Sequence, residues 1–124
     1  LTEIAAGYGV DKITLIAPTS DERVQMLAKD ARGYIYLVSS MGVTGERNEI
    51  TTDLGDIVAK IRQVTDTPVA IGFGIHSPEQ AEKMGQLADG VIVGSAIVKL
   101  IAKYGTEAGE PVAEYVRSMS KALK

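Results

Sequence analysis

The sequence lacks cysteine and tryptophan, and its 124 residues include one phenylalanine and one histidine. Without cysteine, the chain can form no disulfide bond and cannot use thiol catalysis. The single histidine, His76, cannot build a metal site alone. It also has no visible serine or carboxylate partner in the sequence, so we interpret it as an exposed turn residue rather than as a catalytic base.

Clustered basic residues and long apolar runs are missing as well. The formal net charge is -3, and the 13 lysines and arginines form no cluster, which argues against a nucleic-acid partner. No apolar run approaches the roughly 18 residues of a membrane span, and no signal-peptide pattern is present. The sequence therefore favours a cytoplasmic protein without a membrane partner. Its 45% hydrophobic residues suffice for the core of one domain over residues 1–124.

Towards its C-terminus, the sequence contains one motif twice. The motif is a short apolar strand that ends in glycine at the start of a helix. In the first copy, residues 69–73 predict the strand and Gly74 follows it. Ser77, Pro78 and Gln80 then occupy the N-cap, N1 and N3 positions of a predicted helix.

In the second copy, residues 91–93 predict the strand, and Gly94 and Ser95 lead into an apolar helix at residues 96–102. Glycine lets backbone N–H groups approach an anion closely, and a helix start adds unpaired donors and the positive end of a dipole. Two such turns on consecutive parallel strands are typical of the phosphate site that follows strands 7 and 8 of a (β/α)8 barrel.

Two further strand–helix units precede this pair. Apolar runs at residues 12–17 and 33–39 alternate with helical patterns at about 21–31 and 53–64. Continuously apolar strands separated by helices predict a parallel sheet covered by helices. A complete barrel takes about 250 residues, so this chain of 124 supplies about half of one. Helical patterns are also predicted at the two ends, over residues 1–8 and 111–123.

Residues 40–52 form a predicted connection between the second strand and the helix that follows. Connections in α/β units usually have 2–6 residues, and longer ones are often lids over a ligand. Gly42 and Gly45 are suited to act as hinges in such a lid. We therefore expect this segment to be mobile when no ligand is bound.

Three stretches resemble the tryptophan synthase alpha chain family, namely residues 17–50, 68–80 and 89–101. They contain GYIYLVS with GVTG, then GFGI with SPEQ, then GSAIVK, in the order and spacing of that family. The resemblance covers essentially the whole chain. It implies an α/β fold whose parallel (β/α) units form the C-terminal half of a TIM (β/α)8 barrel. It also implies cleavage of indole-3-glycerol phosphate to indole and glyceraldehyde 3-phosphate without a cofactor, and a tryptophan synthase beta subunit as partner.

The same resemblance implies a set of binding residues. It assigns phosphate binding to Gly45, Gly74, Gly94 and Ser95, the indole pocket to Tyr36 and Phe73, and a contact of the closed loop with the catalytic aspartate to Thr44. The strand-to-helix turns independently predict anion binding at Gly74, Gly94 and Ser95. For the two aromatic residues, packing in the barrel core is an equal alternative. A flexible loop also favours glycine without any ligand, which leaves Gly45 open.

No carboxylate of this chain is assigned a catalytic role. In the family, the glutamate that acts as general acid/base and the aspartate that orients the indole N–H lie on strands of the N-terminal half, which this sequence does not contain. We interpret the remaining candidates as loop or helix-start charges: Glu46, Glu49, Asp53, Glu79 and Glu82. The loop also departs from the family at Ser40 and Met41, where many relatives have arginine and a small hydroxyl residue.

Two other functions are compatible with parts of the sequence. GFGIHS begins like a dinucleotide-binding fingerprint, but Ser77 replaces the third glycine and no acidic residue ends the following strand. The stronger alternative is a non-catalytic half-barrel that folds or oligomerises without activity. Its edge strands, predicted at residues 12–17 and 91–93, would each keep an unpaired side, which favours self-association.

Overall fold

The computed structural model describes residues 1–19, 21–39, 47–72 and 74–124, with the backbone alone given for 47–53. Over these residues the chain alternates between helices and strands. In chain order the elements are α1 (Thr2–Gly7), β1 (Thr14–Ile16), α2 (Asp21–Lys29), β2 (Ile35–Val38), α3 (Arg47–Arg62), β3 (Val69–Gly72), α4 (Pro78–Leu87), β4 (Gly90–Ile92), α5 (Ser95–Tyr104) and α6 (Gly109–Ala122). No helix in these parts of the chain is long and apolar enough to cross a bilayer.

The described strands form one parallel sheet in the order β1-β2-β3-β4. The register pairs Leu15 with Tyr36, Tyr36 with Ala70, and Ala70 with Gly90. Parallel neighbours need a crossover connection, and a helix lies between each pair of successive strands. The sheet confirms the predicted α/β class and brings the carboxyl ends of all four strands to one edge.

One face of the sheet is buried under helices. Ile16, Leu37 and Ile71 are aligned across β1, β2 and β3 and are fully buried. They pack in one core with apolar residues of α2, α3, α4 and α6. The helical contribution to this core includes Val24, Ala28, Leu54, Val58, Ile61, Ala81, Met84 and Met119.

The opposite face lies largely open. Successive side chains of a strand point to opposite faces, so Leu15, Tyr36, Ala70 and Gly90 share the face that the helices do not cover. Leu15 is 62% exposed, and the other three are partly buried. In a closed barrel this face is the interior, where side chains from all strands meet.

Several predicted element boundaries need correction, and the largest change is at α3. The helix predicted to begin at residue 53 begins at Arg47, so the long connection predicted over residues 40–52 is wrong for 47–52. The apolar spacing already allows this, because Ile50 precedes Leu54 by one helical turn. Residues 40–46, the rest of the predicted lid, lie outside the described part of the chain. Strands β1 and β2 are also shorter than predicted and span Thr14–Ile16 and Ile35–Val38. Strand β4 spans Gly90–Ile92 instead of the predicted 91–93.

The amino ends of β3 and β4 are joined by Asp89. Its Oδ2 accepts a hydrogen bond from the backbone N–H of Val69 at 2.9 Å, and its own N–H donates to the carbonyl of Val69 at 2.9 Å. Its Oδ1 also accepts from Arg62 Nη2 at 3.2 Å. Asp89 therefore fixes the start of β4 against β3, at the edge opposite the glycine turns.

We predict that Asp89→Ala lowers the free energy of unfolding by about 1–2 kcal/mol, because the N–H of the buried Val69 loses a charged acceptor. Asp89→Asn keeps an oxygen at that position and should lose less. Arg62→Ala removes only an exposed ion pair, so its expected loss is below about 1 kcal/mol. Urea unfolding followed by circular dichroism measures all three. Equal losses for Ala and Asn at residue 89 would contradict the assignment.

Candidate functional site

The two glycine turns begin side by side at the carboxyl edge of the sheet. Strands β3 and β4 are hydrogen-bonded neighbours, and their register pairs Gly72 with Ile92. Gly74 and Gly94 each follow their strand's paired residue by two positions. Adjacent strands lie about 4.8 Å apart, so both turns leave the sheet from neighbouring points.

The second turn leads directly into the N-terminus of α5. Gly94 is the N-cap and has no side-chain cap. The N–H groups of Ile97 and Val98 both donate to the carbonyl of Gly94, at 3.0 and 3.2 Å. The N–H groups of Ser95 and Ala96 therefore precede the first helical hydrogen bonds and lie at the positive end of the helix dipole.

Gly94 has a φ of -117°, which lies outside the left-handed region that favours glycine. A Cβ built there meets no described atom within 4 Å. Space in front of a helix N-terminus that no described atom fills is what an anion needs.

The first turn has a different local requirement. Gly74 has a φ of 78°, a left-handed value at which other residues are strained. The next residue, Ile75, is buried in the core, whereas Gly74 and His76 are exposed. The turn is therefore anchored on its inner side and leaves Gly74 open to solvent.

The helix that follows begins as predicted. Ser77 is the N-cap of α4, and its Oγ accepts a hydrogen bond from the N–H of Gln80 at 3.3 Å. Gln80 Oε1 accepts in return from the N–H of Ser77 at 3.2 Å and from that of His76 at 2.9 Å. This capping box confirms the assignment of Ser77, Pro78 and Gln80 and fixes the exit from the turn.

Tyr36 lies on the open face, close to the carboxyl edge. Its phenol ring passes over Gly72, where an added Cβ would collide with the hydroxyl oxygen and lie 2.6 Å from Cζ. A side chain at position 72 would therefore force the Tyr36 ring to move. The carbonyl of Gly72 also accepts from Ser39, from its Oγ at 2.9 Å and from its N–H at 3.0 Å. Ser39 is buried at the end of β2 and was not singled out by the sequence, which shows only a serine after an apolar run.

Two further groups reach the Gly74 turn, and sequence reasoning missed both roles. The prediction that His76 is exposed is confirmed, but its Nδ1 lies 3.0 Å from the carbonyl oxygen of Gly74. Tyr115 of α6 donates its phenolic O–H to the carbonyl of His76 at 2.8 Å. No local pattern could connect Tyr115 to a turn 39 residues earlier.

Comparison with known proteins decides the family. The family model described as tryptophan synthase alpha chain matches residues 1–124. This chain belongs to the tryptophan synthase alpha chain family.

Individual relatives agree with this membership. The alpha chain of Lactiplantibacillus plantarum is 59% identical over 117 residues, which cover 94% of this chain and 44% of that one. The alpha chain of Lacticaseibacillus casei is 50% identical over 123 residues, which cover 99% of this chain and 46% of that one. The chain thus spans less than half the length of these relatives.

Solved structures of the family match the fold. The tryptophan synthase alpha subunit of Campylobacter jejuni gives a TM-score of 0.83 at 35% identity, covering 94% of this chain and 46% of that one. The tryptophan synthase α2β2 complex of Pyrococcus furiosus gives 0.76 at 32% identity, covering 97% of this chain and 48% of that one. The parallel sheet with its alternating helices is therefore a half-barrel portion of the tryptophan synthase alpha fold.

The alpha-chain site residues predicted from the resemblance fall into two groups. Gly74, Gly94, Ser95 and Tyr36 all lie at or near the carboxyl edge of the sheet, as described above. Gly45, Thr44 and Phe73 lie outside the described residues, and so do Ser40 and Met41.

Of the five carboxylates weighed as catalytic candidates, the structure describes the side chains of two. Glu79 and Glu82 are exposed on α4. Glu46 and the side chains of Glu49 and Asp53 lie outside the described part of the chain. Among the described residues, no group of three His, Asp or Glu side chains could hold a metal ion.

We predict that Gly94→Leu weakens the binding of inorganic phosphate by tenfold or more, about 1.4 kcal/mol, while the fold survives. The added side chain has room in the described structure but fills the approach to the amides of Ser95 and Ala96. Binding is measured by NMR titration, and folding by thermal unfolding.

Gly109→Leu is the matched control for this variant. Gly109 also opens a helix, and a Cβ there likewise meets nothing within 4 Å of the described atoms. It should leave phosphate binding unchanged. Equal phosphate affinities for the Gly94 variant and the parent chain would refute the assignment of this turn.

Proposed function

We propose that this chain supplies the phosphate site and one wall of the indole pocket of a tryptophan synthase alpha chain. Such a chain is a lyase that cleaves indole-3-glycerol phosphate to indole and glyceraldehyde 3-phosphate. The observation that carries the proposal is the family match over residues 1–124, together with two glycine turns on neighbouring strands. By the same resemblance, these residues correspond to the C-terminal half of the barrel.

The phosphate group is proposed to bind to backbone donors. We propose the N–H groups of Gly74, Gly94 and Ser95 as the donors, which the neighbouring positions of the two turns support, and the dipole of α5 favours the negative charge. Gly45, from the loop before α3, is proposed to complete the site. Because amides and the dipole provide the attraction, the net charge of -3 does not oppose a phosphate ligand.

The indole ring is proposed to lie against Tyr36 and Phe73. Tyr36 is partly buried on the open face, which becomes the interior when a barrel closes. Its ring lies over Gly72, at the carboxyl end of β3. This position suits an indole ring that extends from a phosphate held at the turns. Thr44 is proposed to act from the loop when it closes over the substrate.

The cleavage itself needs acid/base groups beyond these. The bond between the indole ring carbon and the glycerol chain breaks, and its electron pair stays with the ring, which takes up a proton. A proton leaves the adjacent glycerol hydroxyl as that carbon becomes an aldehyde, so a positioned acid/base is required. By resemblance, that glutamate and its aspartate partner belong to the other half of the barrel. We therefore propose that residues 1–124 bind the substrate but do not move its protons.

The proposed protein partner is a tryptophan synthase beta subunit, which would receive the indole. The structural relative from Pyrococcus furiosus is an α2β2 complex, which supports this assignment. A cytoplasmic location is proposed as well, because a phosphate ester is charged and does not cross a membrane unaided.

We predict that the 124-residue chain alone releases no indole from indole-3-glycerol phosphate. Co-expression with the remaining half of the related Lactiplantibacillus plantarum alpha chain should restore indole release, because that half supplies the acid/base pair. An absorbance assay for indole measures both reactions. Gly94→Leu in the reconstituted enzyme should raise KM for the substrate. Indole release by the isolated chain would overturn the division of roles.

A second candidate function, a non-catalytic half-barrel that self-associates, rests on the open face and the sheet edges. Leu15 is 62% exposed, and the outer sides of β1 and β4 are unpaired in the described sheet. A two-fold axis along the strands would pair β4 of each copy with β1 of the other and close an eight-stranded barrel.

We predict that the isolated chain forms dimers at tens of micromolar and that Leu15→Glu makes it monomeric, because a charge then faces the closed interior. Val116→Glu is the control, since Val116 is 46% exposed on α6, on the helical layer. Sedimentation velocity measures both. A monomeric parent chain at this concentration would exclude self-association.

A further inference from the structure

The Gly74 turn is held from outside its own segment by α6. Tyr115 donates its O–H to the carbonyl of His76 at 2.8 Å. The ring of His76 reaches back to the carbonyl of Gly74, with Nδ1 at 3.0 Å. Two consecutive bonds thus link α6 to the peptide group that follows Gly74.

The chemistry of these bonds fixes the direction of each. A carbonyl oxygen only accepts, so Nδ1 of His76 carries a proton and donates to Gly74. The carbonyl of His76 likewise only accepts, so the Tyr115 O–H is the donor of the second bond, and burial raises the pKa of this phenol above its ordinary value.

These two hydrogen bonds restrict the backbone of the turn at Gly74. Ile75 is buried and Gln80 fixes the N–H groups of His76 and Ser77. Gly74 is exposed, has a positive φ and has no side chain to hold its peptide groups. The bond from His76 to the Gly74 carbonyl restricts the rotation of that peptide, and Tyr115 holds His76 in place.

The same helix also packs against the second turn's helix. Helix α6 contacts both α4 and α5. Near its end, Leu123 lies so close to α4 that a Cβ at Gly85 would be 2.5 Å from Leu123 Cδ2. Helix α6 is therefore in contact with the helices that follow both glycine turns. Through Tyr115 it also makes a hydrogen bond to the Gly74 turn.

We propose that Tyr115 and His76 are positioning residues that hold the Gly74 turn in the geometry that binds a phosphate group. This role rests on the phosphate site proposed above and deepens it. Neither side chain is proposed to touch the substrate. They act by restricting the peptide group between Gly74 and Ile75, which directly adjoins the residue whose N–H is proposed to bind phosphate.

The test is an NMR titration of the chain with inorganic phosphate, read at the amides of Gly74 and Ser95. Tyr115→Phe keeps the ring and removes only the donor, and we expect its phosphate affinity to fall about three- to tenfold. His76→Ala should have a similar effect. His76→Asn retains an N–H donor near the position of Nδ1 and should restore most of the affinity.

Tyr34→Phe is the matched control, because Tyr34 precedes β2 at the opposite edge of the sheet. It should not change phosphate affinity. A merely structural role for Tyr115 would lower the melting temperature of Tyr115→Phe and leave the phosphate affinity of its folded form unchanged, which would overturn the proposal. Equal affinity losses for His76→Ala and His76→Asn would overturn the hydrogen-bond role of His76.

The outcomes also separate this proposal from the proposed function. If the parent chain binds phosphate and the variants match it, the positioning role fails and the phosphate site stands. If the parent chain shows no response to phosphate at Gly74 or Ser95, the phosphate site fails and the positioning role fails with it.

Discussion

The parallel register of β3 with β4 is the constraint on which the rest of the site depends. Because the two strands run in the same direction and pair directly, the turns that follow them leave from one edge. The helices required to connect parallel strands cover the other side of the sheet and bury its apolar residues. The same connections that build the core therefore place Gly74 beside Gly94, with α5 directed away from the shared edge.

The open face is the second consequence of this arrangement. Residues that alternate with the buried ones, such as Leu15 and Tyr36, have no helical layer over them in the described structure. A barrel fills that face with side chains of its remaining strands. Near the carboxyl edge, the Tyr36 ring covers part of this face. It occupies the space that a side chain at position 72 would need.

Most of the fold could be predicted from the sequence, because apolar strands, helical spacing and caps are local signals. Ser77 and Gln80 illustrate this, since their capping box depends on four consecutive residues. The start of α3 was predicted too late, because polar residues before Leu54 obscured a helix that the backbone forms from Arg47. Of the site, Gly74, Gly94 and Ser95 were accessible because each follows an apolar strand.

The sequence by itself determined the parallel α/β class, the two glycine turns and the family, since these depend on residue types at fixed spacing. Only the tertiary structure decided that no described atom lies within 4 Å of a Cβ at Gly94, that Tyr36 passes close over Gly72, and that Tyr115 bonds to His76. The last two facts join residues that are 36 and 39 positions apart, and the first concerns the space around a single residue. Such contacts arise from the packing of elements that are distant in the sequence, so no periodic pattern of residue types along the chain predicts them.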